Sequence, residues 1–480
     1  MSTRRALLFS FLDRYSALVM SIISSMFIAR LLTPADIGVF SVTMVFIMFI
    51  SSMRDMGAGQ YLVQEKNLTA ERIKATWTVL IFVGALMALV VFLAAYPIAN
   101  FYNEPRMVEI MWVISLNYAI NPLGSMTYAW LIREMRFDSL AKMRFASSFS
   151  AAGTSVTLAW LGYGPISLAY GSLVGTMINA VVSLRYRPTH FGWVPGLSEV
   201  KRVVNFGGKI SATGFIWNLA SGAPELALGK IQTLVAAGLY SRGNGLATMF
   251  QKLVLDAMQA VATPMFAKAQ RENGNITELF LRTISYVTAL GWSFFIGLML
   301  LAFPIVRVLY GDQWDDSIVL LRLLCIGMCI GLPASMCPYV LTATGRANLI
   351  LKISLLIVPI HVTCVVVGAA FSLNGAGLGF IASQLLSMPI WLHYCKLELS
   401  FRWREIAQIL FKSGKLTFLI TIGSGCGILV FGTHPSNGLL SIAMSAALSI
   451  ALIYPSAKLV KHPIQDEIKR FAKNIRNIFM

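Results

Sequence analysis

The chain has 480 residues, 57% of them hydrophobic and only 12% charged, with a mean hydropathy of +0.71. A soluble domain carries roughly 25% charged residues; half that share cannot clothe a water-facing exterior, which excludes a soluble enzyme. The net charge of +18 sits in short loops between apolar runs, not in a basic domain or arm, which excludes a nucleic-acid binder and points to cations flanking membrane helices.

Arg4 and Arg5 precede an apolar run of spanning length with no small-residue cleavage site, so the first segment is expected to stay in the mature protein. That first span, 6–30, carries Asp13 and Arg14 side by side. The second, 37–57, ends on Arg54 and Asp55, where anchoring at the inner surface competes with a contact to cargo. Spans follow at 75–97, 107–131, 140–161 and 165–184, the fourth interrupted by Pro122 and Gly124. The seventh, 207–229, contains Pro224 and Glu225, with Lys230 just beyond. The eighth, 234–262, carries Arg242 without an adjacent acid, and Lys252 and Asp256 one helical turn apart, a spacing that favours a mutual pair. After 280–303, the tenth span, 317–343, holds Arg322 near its outer end, where snorkelling is the simpler reading, and Pro333 and Pro338. Spans at 351–371, 376–395, 414–432 and 438–457 complete about fourteen. The basic, amphipathic tail from Lys458 onward is expected to lie on the anionic inner leaflet.

The loops set the orientation. With the N-terminus inside, inner loops hold Lys66, Arg72, Lys74, Arg133, Arg136, Lys142, Arg144, Arg185, Arg187, Lys201, Arg202, Lys268, Arg271, Arg346, Lys352, Lys396, Arg402 and Arg404. Outer loops hold little beyond Arg106, Lys230 and Arg307. Both termini are therefore expected in the cytoplasm, which requires an even number of spans. Six cysteines, at 325, 329, 337, 364, 395 and 426, lie in or beside apolar runs with no ligand set for a metal, and read as small packing residues. The acidic outer loop Asp312, Asp315, Asp316 reads as a solvated turn, and His361 and His393 as packed side chains.

The chain repeats itself. Arg30-Leu31-Leu32-Thr33…Gly38-Val39-Phe40-Ser41 matches Lys230-Ile231-Gln232-Thr233…Gly238-Leu239-Tyr240-Ser241 at an offset of 230 − 30 = 200. Pro97-Ile98 with Phe101-Tyr102 matches Pro304-Ile305 with Leu309-Tyr310, and Gly164…Ser172 matches Gly375…Ser383. All three fall six spans apart, so the halves share one orientation and are related by an axis along the membrane normal. The expected architecture is an all-α integral membrane protein with two six-helix repeats of like orientation around a central cleft, plus two extra helices. Its parts are an N-terminal bundle, 1–200, a C-terminal bundle, 201–400, and residues 401–480 with the last two helices and the cytoplasmic tail.

The run Arg30-Leu31-Leu32-Thr33-Pro34-Ala35-Asp36-Ile37-Gly38-Val39-Phe40 resembles a signature of bacterial polysaccharide exporters. Asp55-Met56-Gly57-Ala58-Gly59-Gln60, Gly238-Leu239-Tyr240-Ser241-Arg242, Leu309-Tyr310-Gly311-Asp312-Gln313-Trp314 and Ala343-Thr344-Gly345-Arg346 fit the same pattern. Over at least residues 1–400 the chain resembles the Wzx-type flippases, in the colanic-acid-like branch of the multidrug/oligosaccharidyl-lipid/polysaccharide superfamily. The resemblance implies a polyprenyl-pyrophosphate-linked oligosaccharide, moved to the outer leaflet of the bacterial inner membrane by alternating access, with polymerase machinery as a partner beyond the membrane lipids.

A pyrophosphate head crossing a low-dielectric slab needs cations, and cations buried in a span are costly unless they face a cleft or pair with an acid. The expected substrate contacts are accordingly Arg14, Arg54, Arg242, Lys252 and Arg322, each weighed against the anchoring, pairing or snorkelling named above. No GxxxxGK[ST] motif is present, so no cofactor is expected and coupling is expected to H+ or Na+, with Asp13, Asp55, Glu225 and Asp256 as candidate carboxylates. The rival readings are a cation-coupled drug antiporter, a lipid-linked peptidoglycan precursor flippase and, more remotely, a membrane glycan polymerase, for which the short outer loops leave little room.

Overall fold

The structure is a computed structural model that describes residues 19–54, 58–189, 191–272, 274–432 and 437–470, except the side chains of 52–54, 205–216 and 260. Among these residues the regular structure is helical throughout. In chain order the helices are α1 (Val19–Leu31), α2 (Pro34–Arg54), α3 (Ala58–Gln64), α4 (Ala70–Tyr102), α5 (Arg106–Arg133), α6 (Phe137–Trp160), α7 (Ile166–Tyr186) and α8 (Val200–Ala227). Then come α9 (Leu234–Ala247), α10 (Asp256–Arg271), α11 (Ile276–Leu300), α12 (Ala302–Leu309), α13 (Ser317–Gly331), α14 (Cys337–Ala343), α15 (Ala347–Phe371), α16 (Leu373–Leu399), α17 (Trp403–Phe431) and α18 (Gly438–Val460).

Where they are described, the fourteen expected spans each fall on one helix or one run of short helices, and among the described residues nine are long and apolar enough to cross a membrane on length and composition alone. The others are α1, described only from residue 19, α5, which is charged only at its ends, and α6, α8 and the α9–α10 run, which carry charged residues within their length. Lipid exposure is plain on α4, where Phe82, Leu86, Leu89 and Leu93 face outward at helical spacing. Buried faces pack through small residues that let backbones approach closely: Gly171 and Gly175 where α6 meets α7, and Gly368, Gly375 and Gly379 where α15 meets α16.

The chain divides into two compact units, residues 1–238 and 239–480. The expected boundary near 200 follows the repeat; packing divides the chain later, because α8 packs on α2, α3 and α4. In the second unit α11 packs on α13 and α17, α13 on α16, and α17 on α18, so the two extra helices are part of that unit.

The signature segment has a local cause. Thr33 and Asp36 cap α2 reciprocally: the Asp36 amide donates to Thr33 Oγ1 (3.2 Å), and Thr33 N and Oγ1 donate to Asp36 Oδ2 (3.1 and 2.8 Å). Pro34 fills the first helical position, where no amide is needed. Arg106 then ties Asp36 (2.8 Å) to Glu104 (2.8 Å), fastening the start of α5 to the start of α2.

Two turns into the motif lies a close crossing. A Cβ on Gly38 would overlap the Leu234 carbonyl, lying 2.6 Å from its carbon, and a Cβ on Gly238 would overlap that of Pro34, 3.0 Å from its carbon. Exchanging 34 with 234 and 38 with 238 maps this contact onto itself, as a two-fold relation between the repeats requires.

The tail departs from expectation. His462 and Ile464 are buried, and Ile464 and Ile468 join a cluster with Ala289, Leu416, Ile420 and Ala457. The apolar face of residues 464–468 is spent on α11, α17 and α18, not on lipid; residues 471–480 lie outside the described chain.

Candidate functional site

In the first unit, Asp13, Arg14 and Asp55 lie outside the described residues, and Arg54 ends α2 with its side chain likewise outside them. Glu225 is half-buried on the last turn of α8, directly after Pro224. A turn of π-helix, Leu228–Gln232, follows it. Tyr102 at the end of α4 donates to the Leu226 carbonyl (3.2 Å), and Lys230 donates to the Phe101 carbonyl while lying 4.2 Å from that ring's centre. The Glu225 segment is thereby moored to α4.

In the second unit, the Arg242 guanidinium lies 5.7 Å from the ring centres of both Tyr310 and Trp314. Those two buried rings meet edge to face in the turn after α12. The turn is closed by Arg307, whose Nε donates to Asp315 Oδ1 (2.7 Å), and Gly311 supplies the left-handed backbone there (φ 99°). The aromatic turn thus folds onto Arg242, a cation–π arrangement that stabilises a guanidinium out of water. Lys252 sits in a second π-helical turn, Gln251–Leu255, and Asp256 begins α10, which packs on α14. Such turns open a helix's hydrogen-bond ladder and recur at functional positions. Arg322 is exposed and its Nε donates to the Met299 carbonyl (3.3 Å), in the last turn of α11, where carbonyls lack helical partners. Arg242 and Arg322 are therefore turned to different partners, and Lys252 lies further along the α9–α10 run.

The same unit holds an apolar pocket of about 350 Å3, open on one side, between α11, α17 and α18. Leu290, Phe294, Leu298, Ile420, Ile450 and Ile453 face it, with Ser293, Ser424 and Ser449 as sparse polar groups, and Ile464 of the tail closes one side.

Two groups escaped the reading of the sequence. Arg282, near the start of the ninth span, pairs with Glu467 of the tail at 3.0 Å. His462 is fully buried; its Nδ1 accepts from the Ile464 amide (3.2 Å), so the neutral ring carries its proton on Nε2, facing Ser285 Oγ (3.0 Å) and Ser413 Oγ (3.3 Å). Burial, aided by the charge of Lys412, pulls the imidazole down to about 4. The alternation of Ile464, Glu467 and Ile468 along one helical stretch was the available signal, but it marks equally well a helix lying on lipid.

The chain is 22% identical over 371 residues to the lipopolysaccharide biosynthesis protein WzxC of Escherichia coli (strain K12), covering 75% of this chain and 74% of that one. It is 25% identical to the succinoglycan biosynthesis transport protein ExoT of Rhizobium meliloti (strain 1021), over 76% and 72% of the two chains. The fold is that of the lipid II flippase MurJ in its inward closed conformation, with a TM-score of 0.74 at 12% identity over 94% of this chain and 99% of that one. Residues 27–319, well over half the sequence, match the family described as polysaccharide biosynthesis protein, and the chain is a multi-pass membrane member of that family.

Proposed function

We propose that this protein carries a polyprenyl-pyrophosphate-linked oligosaccharide from the inner to the outer leaflet of the bacterial cytoplasmic membrane, for assembly of a surface or exported polysaccharide. The family match over residues 27–319 carries the reading. Support comes from relatives named for the biosynthesis and transport of such polymers, and from the apolar cavity between α11, α17 and α18, whose chemistry suits a hydrocarbon chain. In this reading Arg14, Arg54, Arg242, Lys252 and Arg322 are the candidate contacts of the anionic head. One of Asp13, Asp55, Glu225 and Asp256 couples transport to H+ or Na+, both termini lie in the cytoplasm, and the polymerase machinery receives the product. Glu225 and Asp256 carry the added interest of flanking the two π-helical turns, where a helix can change register at low cost.

The test is the leaflet occupied by lipid-linked oligosaccharide in cells depleted of the protein. Spheroplasts are probed with a glycan-reactive enzyme from outside, then after lysis. The reading requires accumulation reached only after lysis. Normal access from outside together with loss of polymer would transfer the role to a polymerase.

A further inference from the structure

At the end of the first unit that carries Arg133, Arg136, Lys142 and Arg144, the surface forms an open pocket of about 490 Å3 lined by Arg136, Arg185 and Arg187 with Trp130 and Tyr186. Arg187 is the unusual member. Its Nε and Nη2 donate to the Phe191 carbonyl (3.4 and 3.3 Å), and Nη2 also to that of Gly192 (3.2 Å). Its guanidinium lies 3.7 Å from the Trp193 ring centre and 4.8 Å from that of Trp77. Nη1 is buried with no hydrogen-bond partner, and burial pulls the group's affinity for its proton down. Among the described residues no carboxylate pairs with Arg136, Arg185 or Arg187. Three guanidinium groups lining one pocket with no acid among them repel one another, and an anion bound between them would relieve that repulsion.

We propose that this pocket binds the phosphodiester headgroup of an anionic membrane phospholipid. A guanidinium offers paired donors to phosphate oxygens, and three of them converge here. Water occupies about 30 Å3 per molecule, so the pocket has room for a headgroup rather than a bare phosphate. The surroundings favour a lipid over a soluble phosphate. Trp193, which stacks on Arg187, and Val194 and Leu197 further along the same loop expose apolar side chains (51%, 66% and 79%). Trp and Tyr collect at the bilayer boundary, and basic pockets between helices at that level hold anionic headgroups. The site is remote in chemistry from the apolar cavity of the second unit and serves as an anchor, fixing the depth of α5 and α7 in the bilayer. Its assignment to the inner leaflet rests on the orientation proposed above; the binding itself does not.

The experiment is native mass spectrometry of the full-length protein in detergent, titrated with phosphatidylglycerol or phosphatidylcholine, for wild type and the double variant R136Q/R185Q. Both substituted side chains are exposed, and melting temperature checks that the variant folds. The proposal expects wild type to retain phosphatidylglycerol selectively, the double variant to bind it roughly thirtyfold more weakly, and both to bind phosphatidylcholine alike. Equal retention of the two lipids by wild type overturns it without recourse to any variant. Displacement of phosphatidylglycerol by equimolar glycerol 3-phosphate also overturns it, since the ligand would then be a soluble phosphate. Lipid retention is read without transport, so its failure leaves the flippase reading standing, and the spheroplast experiment can fail while this one succeeds.

Discussion

Alanine at Gly38 or Gly238 should destabilise the protein, and by similar amounts. A Cβ on Gly38 would lie 2.6 Å from the Leu234 carbonyl carbon, and one on Gly238 would lie 3.0 Å from that of Pro34. Carbon atoms rest about 3.5–4.0 Å apart, so α2 and the first turn of α9 must separate by about 1 Å. The obstacle is backbone, which cannot swing aside as a side chain would. Overpacking typically costs about 1–3 kcal/mol, and a backbone obstacle places these at the upper end, roughly 3 kcal/mol each. Both substitutions open the same crossing, so the double variant should cost less than the sum of the singles. Controls come from the same chain: nothing lies within 4 Å of a Cβ on Gly153 or Gly245, and alanine there should be neutral or stabilise by about 0.5–1 kcal/mol. The assay is thermal melting of detergent-solubilised protein followed by size-exclusion chromatography. A Gly38→Ala protein that melts with wild type, or a Gly153→Ala control that falls as far, would refute the steric argument. Marked asymmetry between positions 38 and 238 would refute the reciprocal one.

Three further outcomes are expected. Because burial holds the His462 imidazole near 4 against an ordinary value of about 6.5, the unfolded chain takes up a proton between those limits and the folded one does not. Stability should therefore fall as pH drops from about 6.5 to about 4, by up to about 3 kcal/mol, then level off, and His462→Leu should flatten that stretch of a melting-versus-pH curve. Arg242→Ala should lower polymer export at least about tenfold while the protein still folds, and Arg242→Lys should recover only part, since a point charge lacks the planar fork; export unchanged in both would remove Arg242 from the transport path. Alkaline phosphatase fused after Tyr163 or Asp312 should be active, and after Thr189 or Glu272 inactive; the reverse pattern would invert the orientation argued from the loops.

The spans were legible because the bilayer asks one thing of a segment, enough apolar length, and α4, α15 and α16 state it in a single run of letters. The capped corner Thr33–Asp36 was legible for the same reason: its chemistry is local. Arg242 was recognisable as a cation inside a span, but its aromatic neighbours lie about seventy positions away at Tyr310 and Trp314, and no pattern within a window could join them. The tail misled because a face built from Ile464 and Ile468 is equally suited to lipid and to the groove beside α11; periodicity reports that a face is apolar, not what covers it. Arg187 was read as one more inner-loop charge, since only the fold brings Trp77, about 110 positions earlier in the chain, to lie beside it.

The crossing of Gly38 and Gly238 bears on ancestry. A contact in which one position meets the partner of another, and that other meets the first, is the geometry of an isologous interface between identical subunits. A six-helix ancestor carrying Thr33, Pro34 and Gly38 once per chain would have made this contact twice as a homodimer, before duplication joined the copies. Fusion would leave each copy free to change elsewhere, while a change here meets the backbone of the other copy. A side chain gained by either glycine is met by the main chain of the opposite repeat, so the two positions hold one another in place long after the sequences around them have drifted apart.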